Sequence, residues 1–407
     1  MTTDEILAME EDLRAFLLPF GDLFHRSEAR DNLRAYVGRQ LSDLPRKSVE
    51  PIAWAMEVDE RSLQLFLSTR DWDYRLMRDR LQQIVARDHI LSRGIGIIDE
   101  TSHPKKGDKT PGVQRQYCGN VGKIDNCIVT VHLAASSWDG AFTSLIDSDL
   151  FLPEEWSKDD ARRREAKIPD ELTYRSKWKI ALEQTAHAME NGVPLEWITA
   201  DEYYGSKPGF LTGIIDLGLS VVVEVPKSFR GWTIPPVALT DQSLATSQAC
   251  HLAKHSPSLH SQPWQRQVIK ETQKGPMVWE VKSTNFAFKH GQRIVTGATL
   301  IVARNVLNPD EVKYFVAHAP EGTPLEDLLH VAFARPRIED DFLRAKDEMG
   351  LSHYEGRTYQ GLLRHCHVTA LTLLFAIRQT LKLRGEKSRR HDLPGSPRHR
   401  RAASAAA

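Results

Sequence analysis

Apolar residues in the first ninety positions recur at helical spacing, in Leu13, Phe16 and Leu17 and again in Leu63, Leu65 and Phe66. This predicts helices over 4–88, divided at Pro19, Pro45 and Pro51. The stretch SVEPIAWAMEVDERSLQLFLSTRDWD reads as short helices joined by a turn, a pattern common to a helix-turn-helix and to any small helical bundle. The period then changes. GIGIID at 94–99 is a short apolar run ending in a carboxylate, and CIVTVHLAA at 127–135 is β-rich. A further strand, 141–150, follows the turn Trp138-Asp139-Gly140. Next come a helix over 170–191, a strand over 195–200, a helix over 207–216 and a strand over 219–225. From 226 to 296 the pattern dissolves among Pro235, Pro236, Pro257, Pro263 and Pro276. Alternation returns at 277–282, as in a strand, so this block reads as an inserted β-rich subdomain. Strands resume at 298–303 and 313–317, and helices over 324–333, 338–349 and 357–383 close the chain.

Three strands, helix, strand, helix, strand is the order of an RNase H-like sheet, and also of many other α/β domains. The chain of 407 residues divides accordingly. Residues 1–88 form an N-terminal helical, DNA-binding domain. Residues 89–225 and 297–384 form an α/β core, interrupted by the subdomain at 226–296, and 385–407 is a basic disordered tail.

Composition narrows the class. Hydrophobic residues are 41% and charged residues 27%, an ordinary globular balance. The longest apolar run, 368–377, is half of the roughly 20 residues a membrane helix needs, so no membrane partner is expected. Four cysteines and the acidic start MTTDEILAMEEDLR point to a reduced, cytoplasmic compartment. Lys+Arg and Asp+Glu tie at 54 each, so the sum of charge is silent about nucleic acid and its distribution has to speak. Over 105–123, Lys105, Lys106, Lys109, Arg115 and Lys123 face only Asp108, with Gly107, Gly112, Gly119 and Gly122 among them. A cationic hairpin after a buried strand can track a phosphate backbone, or can simply be solvated. Cys250, His251, His255 and His260 have a spacing that fits no common zinc finger. His365-Cys366-His367 lies on a helix, where neighbours point apart, and reads as packing.

Three acids sit where metal chemistry would want them. Asp99 and Asp201 each end a strand, and Glu339 begins a helix. Carboxylates at strand C-termini emerge at the sheet edge where α/β folds bind ligands. A magnesium ion prefers such oxygen donors, together with substrate phosphate. Arg335, Glu339 and Lys346 are spaced i, i+4 and i+11, and so share one helical face within about 60°. Cations beside the acid would hold phosphates. Taken singly, each acid could equally be a turn or capping residue.

Five motifs in order carry a resemblance: GIGIIDETSHPKKG, GVQRQYCGNVGKIDNCIVTVHLA, WITADEYYG, GLSVVVEVP and RIEDDFLRAKDEMGLSHYEGRTYQGLLRH. Over about 47–383 the chain resembles insertion-sequence transposases of the insertion-sequence 701 family, DDE superfamily endonucleases with an RNase H-like core. The resemblance implies that Asp99, Asp201 and Glu339 are the catalytic acids and hold Mg²⁺, or Mn²⁺. The wider group's signature, Tyr-x2-Arg-x3-Glu-x6-Lys, matches Arg335, Glu339 and Lys346, with Ala332 in place of the Tyr. It further implies cut-and-paste transposition on double-stranded DNA, at terminal inverted repeats and a target site, by a homodimer in the DNA complex. Lys105, Lys106, Arg115 and Lys123 join Arg335 and Lys346 as DNA contacts. Relatives often stack a flipped base on an aromatic ring, which makes Trp232, Trp264 and Trp279 candidates, against their being core of the insertion. The alternatives are a catalytically silent DNA-binding regulator and a nuclease that cuts without joining.

Overall fold

The computed structural model describes residues 3–88, 91–235, 245–272 and 275–392. Five helices come first: α1 Thr3–Leu17, α2 Ser27–Gln40, α3 Val49–Met56, α4 Glu60–Ser68 and α5 Tyr74–Arg87. Asp59 and Asp73 accept backbone N–H groups at the starts of α4 and α5, the capping that short polar acids supply best. Then follow β1 Gly94–Pro104, β2 Gln114–Cys118, β3 Lys123–Ser136 and β4 Thr143–Phe151, then α6 Glu154–Lys158, α7 Asp160–Glu165 and α8 Lys177–Glu190. Next are β5 Leu195–Ala200, α9 Glu202–Gly205, α10 Pro208–Asp216 and β6 Ser220–Val225. The expected insertion holds β7 Arg230–Trp232, β8 Ser247–Gln248, α11 Ala249–His255, α12 Pro257–His260, β9 Gln265–Thr272 and β10 Gly275–His290. The chain continues through β11 Arg293–Asn305, β12 Val312–His318, α13 Leu325–Ala332, α14 Pro336–Leu343, a π-helical turn at Arg344–Glu348 and α15 Tyr359–Asp392.

One mixed sheet organises these elements. Strand β1 is central, antiparallel to β3 and parallel to β5. β3 in turn pairs with β4, and β5 runs parallel to β6. Helices α8, α9 and α10 lie between the strands of this half, so β1, β3 and β5 are buried over most of their length and read as apolar runs. From β6 the sheet continues antiparallel through β12, β11 and β10. The expected boundary at 296/297 falls inside β11, and the strands of 275–305 extend the same sheet.

The N-terminal helices share one continuous apolar core with the sheet and α15. Their seam with α15 is polar as well. Gln40 donates to Thr369 Oγ1 at 2.8 Å and accepts from Thr372 Oγ1 at 2.7 Å, and Tyr36 Oη lies 3.0 Å from His365 Nδ1. Arg364, 1% exposed, donates to the carbonyls of Phe66, Leu67, Arg70 and Trp72 and stacks on the Trp72 ring at 4.4 Å. These are carbonyls at and beyond the end of α4 that no further helical turn satisfies.

Helices α3 and α4 meet through a tight turn at Glu57, whose φ of 54° is left-handed. Among the exposed residues of this pair, Glu50, Glu57 and Asp59 outnumber Arg61. The exposed charges of this helix pair are mostly acidic, whereas Arg26, Arg30 and Arg34 are exposed at and along α2. The tail expected from 385 starts within α15, which continues to Asp392, and 393–407 lies outside the described residues.

Candidate active site

Asp99 lies on β1 and Asp201 follows the end of β5, the strand parallel and adjacent to β1. Asp201 caps α9, accepting the backbone N–H groups of Tyr203 at 3.0 Å and Tyr204 at 3.4 Å. Pro336 opens α14, and Glu339 follows in its first turn. Arg335, immediately before α14, joins the acids. Its Nη1 donates to Asp99 Oδ2 at 3.0 Å, and its Nη2 meets Glu339 Oε1 at 2.6 Å. Asp99 and Glu339, 240 positions apart in sequence, are therefore gripped by one guanidinium.

Electrostatics bring in Asp201. Burial pushes the Asp99 carboxyl up to about 7. The Asp201 charge adds to this, and Arg335 opposes it. Asp201 is itself raised, chiefly by burial and then by Glu100, against the N–H groups of Tyr204 and Tyr203. Two carboxylates raised chiefly by burial, on and just after adjacent parallel strands, suit a cation. As the side chains stand, no group of three His, Cys, Asp or Glu among the described residues could hold a metal. Arg335 holds Glu339 in an ion pair, and Glu339 is half exposed. The hard oxygen donors of Asp99 and Asp201 fit a divalent ion such as Mg²⁺.

The expected phosphate contacts divide. Arg335 sits on the acids. Lys346 lies in the π turn and donates to Asn120 Oδ1 at 2.8 Å, and burial lowers its pKa. Lys106, Arg115 and Lys123 are exposed, with Lys123 3.6 Å from Asp125. Lys105 corrects the expectation. Its ammonium turns inward to the carbonyl of Tyr354 at 2.5 Å and that of Ser352 at 3.4 Å, and burial lowers it to about 8. It is therefore not placed to meet DNA.

The tryptophans correct it too. Trp232 is buried on β7. Trp279 is buried with its ring 5.2 Å from that of Phe333. Trp264 has its ring occupied by Arg304 at 4.3 Å and Lys282 at 4.8 Å. Trp232 and Trp279 offer no free face for a base, and the Trp264 ring is shared with two cations.

Some participants were missed from sequence. Glu100 follows Asp99 and pairs with Lys177 at the start of α8, while Lys177 also sits 4.0 Å from the Tyr203 ring. The doublets Asp99-Glu100 and Asp201-Glu202 were the available signal. Beside Asp99, its strand partner His132 belongs to a buried chain. His103 reaches Thr130 Oγ1 at 3.0 Å, Thr130 reaches His132 at 2.7 Å, and His132 reaches Ser148 at 2.8 Å. Burial lowers His132 to about 3, so it stays neutral and rigidifies the strands under the acids.

A family model described as "DDE superfamily endonuclease" matches residues 19–277, which include Asp99 and Asp201 and stop short of Glu339. A probable transposase for insertion sequence element IS701 from Microchaete diplosiphon is 32% identical over 192 residues, 46% of this chain and 46% of that protein. The match thus spans about half the length of this curated relative. Among solved structures, the NurA nuclease from Sulfolobus solfataricus aligns at 11% identity over 79% of this chain and 94% of that one. Its TM-score is 0.26, too low to carry an argument.

Proposed function

The chain belongs to the DDE superfamily endonucleases, and on that premise we propose that it is a transposase. It cuts DNA at the inverted-repeat ends of a bacterial insertion sequence and joins the freed 3′-hydroxyls to target DNA. The observation that carries this reading is the guanidinium bridge of Arg335 between Asp99 and Glu339, with the Asp201 charge felt by both Asp99 and Arg335. It joins two of the three acids that the family resemblance marks, and supports the reading to that extent. The strand order β4-β3-β1-β5-β6, with β3 antiparallel to its neighbours, supports an RNase H-like core.

Asp99 and Asp201 would hold Mg²⁺ or Mn²⁺, joined by Glu339 once Arg335 lets it go. When bound, such ions would supply an activated water or hydroxyl and stabilise the leaving oxygen. The protein's own groups do the rest. Arg335, released from the acids, grips a phosphate oxygen in two-pronged fashion. Lys346 neutralises a neighbouring phosphate from the far side, and the exposed Lys106, Arg115 and Lys123 follow the backbone outward. The partner is double-stranded DNA, bound by two copies of the chain in a cytoplasmic compartment. No helix among the described residues is long and apolar enough to cross a membrane.

The test is cleavage of labelled DNA carrying the repeats that flank the coding sequence, with Mg²⁺ or Mn²⁺. Wild type should cut at the repeat ends and yield joined products, and Glu339→Gln should do neither. Cutting by Glu339→Gln at the wild-type rate would overturn the site. Cutting without joining would identify a nuclease, and binding without cutting a regulator.

A further inference from the structure

The segment that carries Glu339 and Lys346 is tied to β1 at both ends. At its start, Arg335 donates to Asp99. At its far end, Lys105, the residue after β1, donates from Nζ to the carbonyl of Tyr354 at 2.5 Å and to that of Ser352 at 3.4 Å. The backbone of Lys105 is itself fixed to β3. Its N–H donates to the Asn126 carbonyl at 2.9 Å, and its carbonyl accepts from Asn126 Nδ2 at 2.8 Å.

Between the π turn and Tyr354 the main-chain carbonyls are held by side chains from elsewhere in the sequence. Glu348 offers its carbonyl to the ammonium of Lys47, which is 4% exposed. The carbonyls of Gly350 and Leu351 lie 3.0 and 3.2 Å from His365 Nε2. Carbonyls at and beyond the end of a helix lack partners within it, and cations settle there. Gly350 has a left-handed φ of 76°, and a Cβ there would come within 2.7 Å of Lys47 Cβ, so the loop closes tightly over that lysine. Lys346 stands in the same turn, two residues before Glu348, with its own ammonium on Asn120 Oδ1.

The partners of Lys105 are main-chain carbonyls. It therefore holds the path of the chain after the π turn, and through that path the place of Lys346. Without its ammonium two carbonyls lose a charged donor, and the loop loses its tie to the strand that carries Asp99. We propose that Lys105 is a positioning residue of the cutting reaction: it fixes Lys346 beside the acids and touches neither DNA nor the ion. This rests on the DNA-cutting function proposed above, and gives that function a residue that acts only through another.

The experiment is a double-mutant cycle on a labelled end substrate, with binding and saturating cleavage measured separately. Lys105→Met should lower saturating cleavage by on the order of tenfold. DNA affinity and its salt dependence should stay as in wild type. In a Lys346→Ala background the same change should cost less than about twofold, because no ammonium is left to position. Lys105→Arg, which can also donate to two carbonyls, should restore most of the rate. Thermal unfolding verifies folding, and if Lys105→Met melts below the assay temperature, Lys105→Gln, which keeps one donor, carries the same comparison. Losses that multiply in the double variant would overturn the proposal, since Lys105 would then act independently of Lys346. So would a Lys105→Met protein with weaker binding, a flatter salt dependence and an unchanged saturating rate, which would make Lys105 a DNA contact. A wild type that does not cut would sink the function itself, whereas equal cutting by wild type and Lys105→Met would sink this role alone.

Discussion

Replacing Asp99 by Asn should make the protein more stable while abolishing cleavage, and the stability gain should depend on pH in a defined direction. The Asp99 carboxyl is nearly buried and is pushed from an ordinary 3.8 to about 7. Holding it ionised in the metal-free protein therefore costs on the order of 4 kcal/mol. The cost is absent below the unfolded value. It grows as pH climbs from about 4, where the unfolded chain has already lost its proton and the folded one has not, and is complete above about 7. Asn keeps the shape and can still accept the Glu100 N–H, now at 2.8 Å to Oδ1. It forfeits the charge on the Arg335 contact, but that contact is already contained in the value of about 7. The expected gain is therefore a few kcal/mol, at most about 4, at pH 8 and near zero at pH 4, or several degrees in Tm. Thermal unfolding in chelator at the two pH values, alongside cleavage in Mg²⁺, reads both halves. Equal melting at pH 8, or a gain as large at pH 4, would show that Asp99 is not held at a cost in the free protein. Asp99 would then not be a carboxylate kept charged at a cost for a cation.

Lys346→Ala should lower saturating cleavage on the order of tenfold to a hundredfold, with the Mg²⁺ midpoint unmoved, because the cation points to Asn120 and not to the acids. A strongly shifted midpoint at an unchanged saturating rate would place Lys346 at the ion instead. Arg364→Met keeps bulk but removes the guanidinium from four carbonyls around the end of α4, of which those of Phe66 and Arg70 keep a donor from Trp72. A loss on the order of 3–5 kcal/mol in urea unfolding is expected, and one below about 1 kcal/mol would mean that water reaches those carbonyls.

What could be read from sequence followed the burial of each element. Runs such as GIGIID, CIVTVHLAA and WITA are apolar because both faces of their strands are covered, and their positions were clear. Their ends were not. β1 runs five residues past Asp99 through Thr101, Ser102 and His103, which are buried but polar because they belong to or adjoin the Thr130–His132 chain. Lys105 was misjudged for the same reason, since a charge reads as surface until the carbonyls that accept it are seen. Over 226–296 the prolines masked the 16-residue strand β10. At the site, helical spacing put Arg335 and Glu339 on one face, and they do pair. It could not show that the guanidinium also reaches across to β1, because no local pattern records a contact between residues 236 positions apart.

The seam between the N-terminal helices and α15 has a consequence for how the protein is made. Gln40, Tyr36 and the end of α4 find their partners on a helix that begins roughly 290–320 residues later. At about 5–20 residues per second, a ribosome needs roughly a quarter of a minute to a minute to deliver that helix. Until then the early helices wait with apolar faces and a buried-to-be glutamine uncovered, which makes the nascent chain a client for chaperones. A chain that stops before α15 never completes this closure. Prematurely terminated products should be cleared by proteolysis rather than persist as inhibitors that occupy DNA.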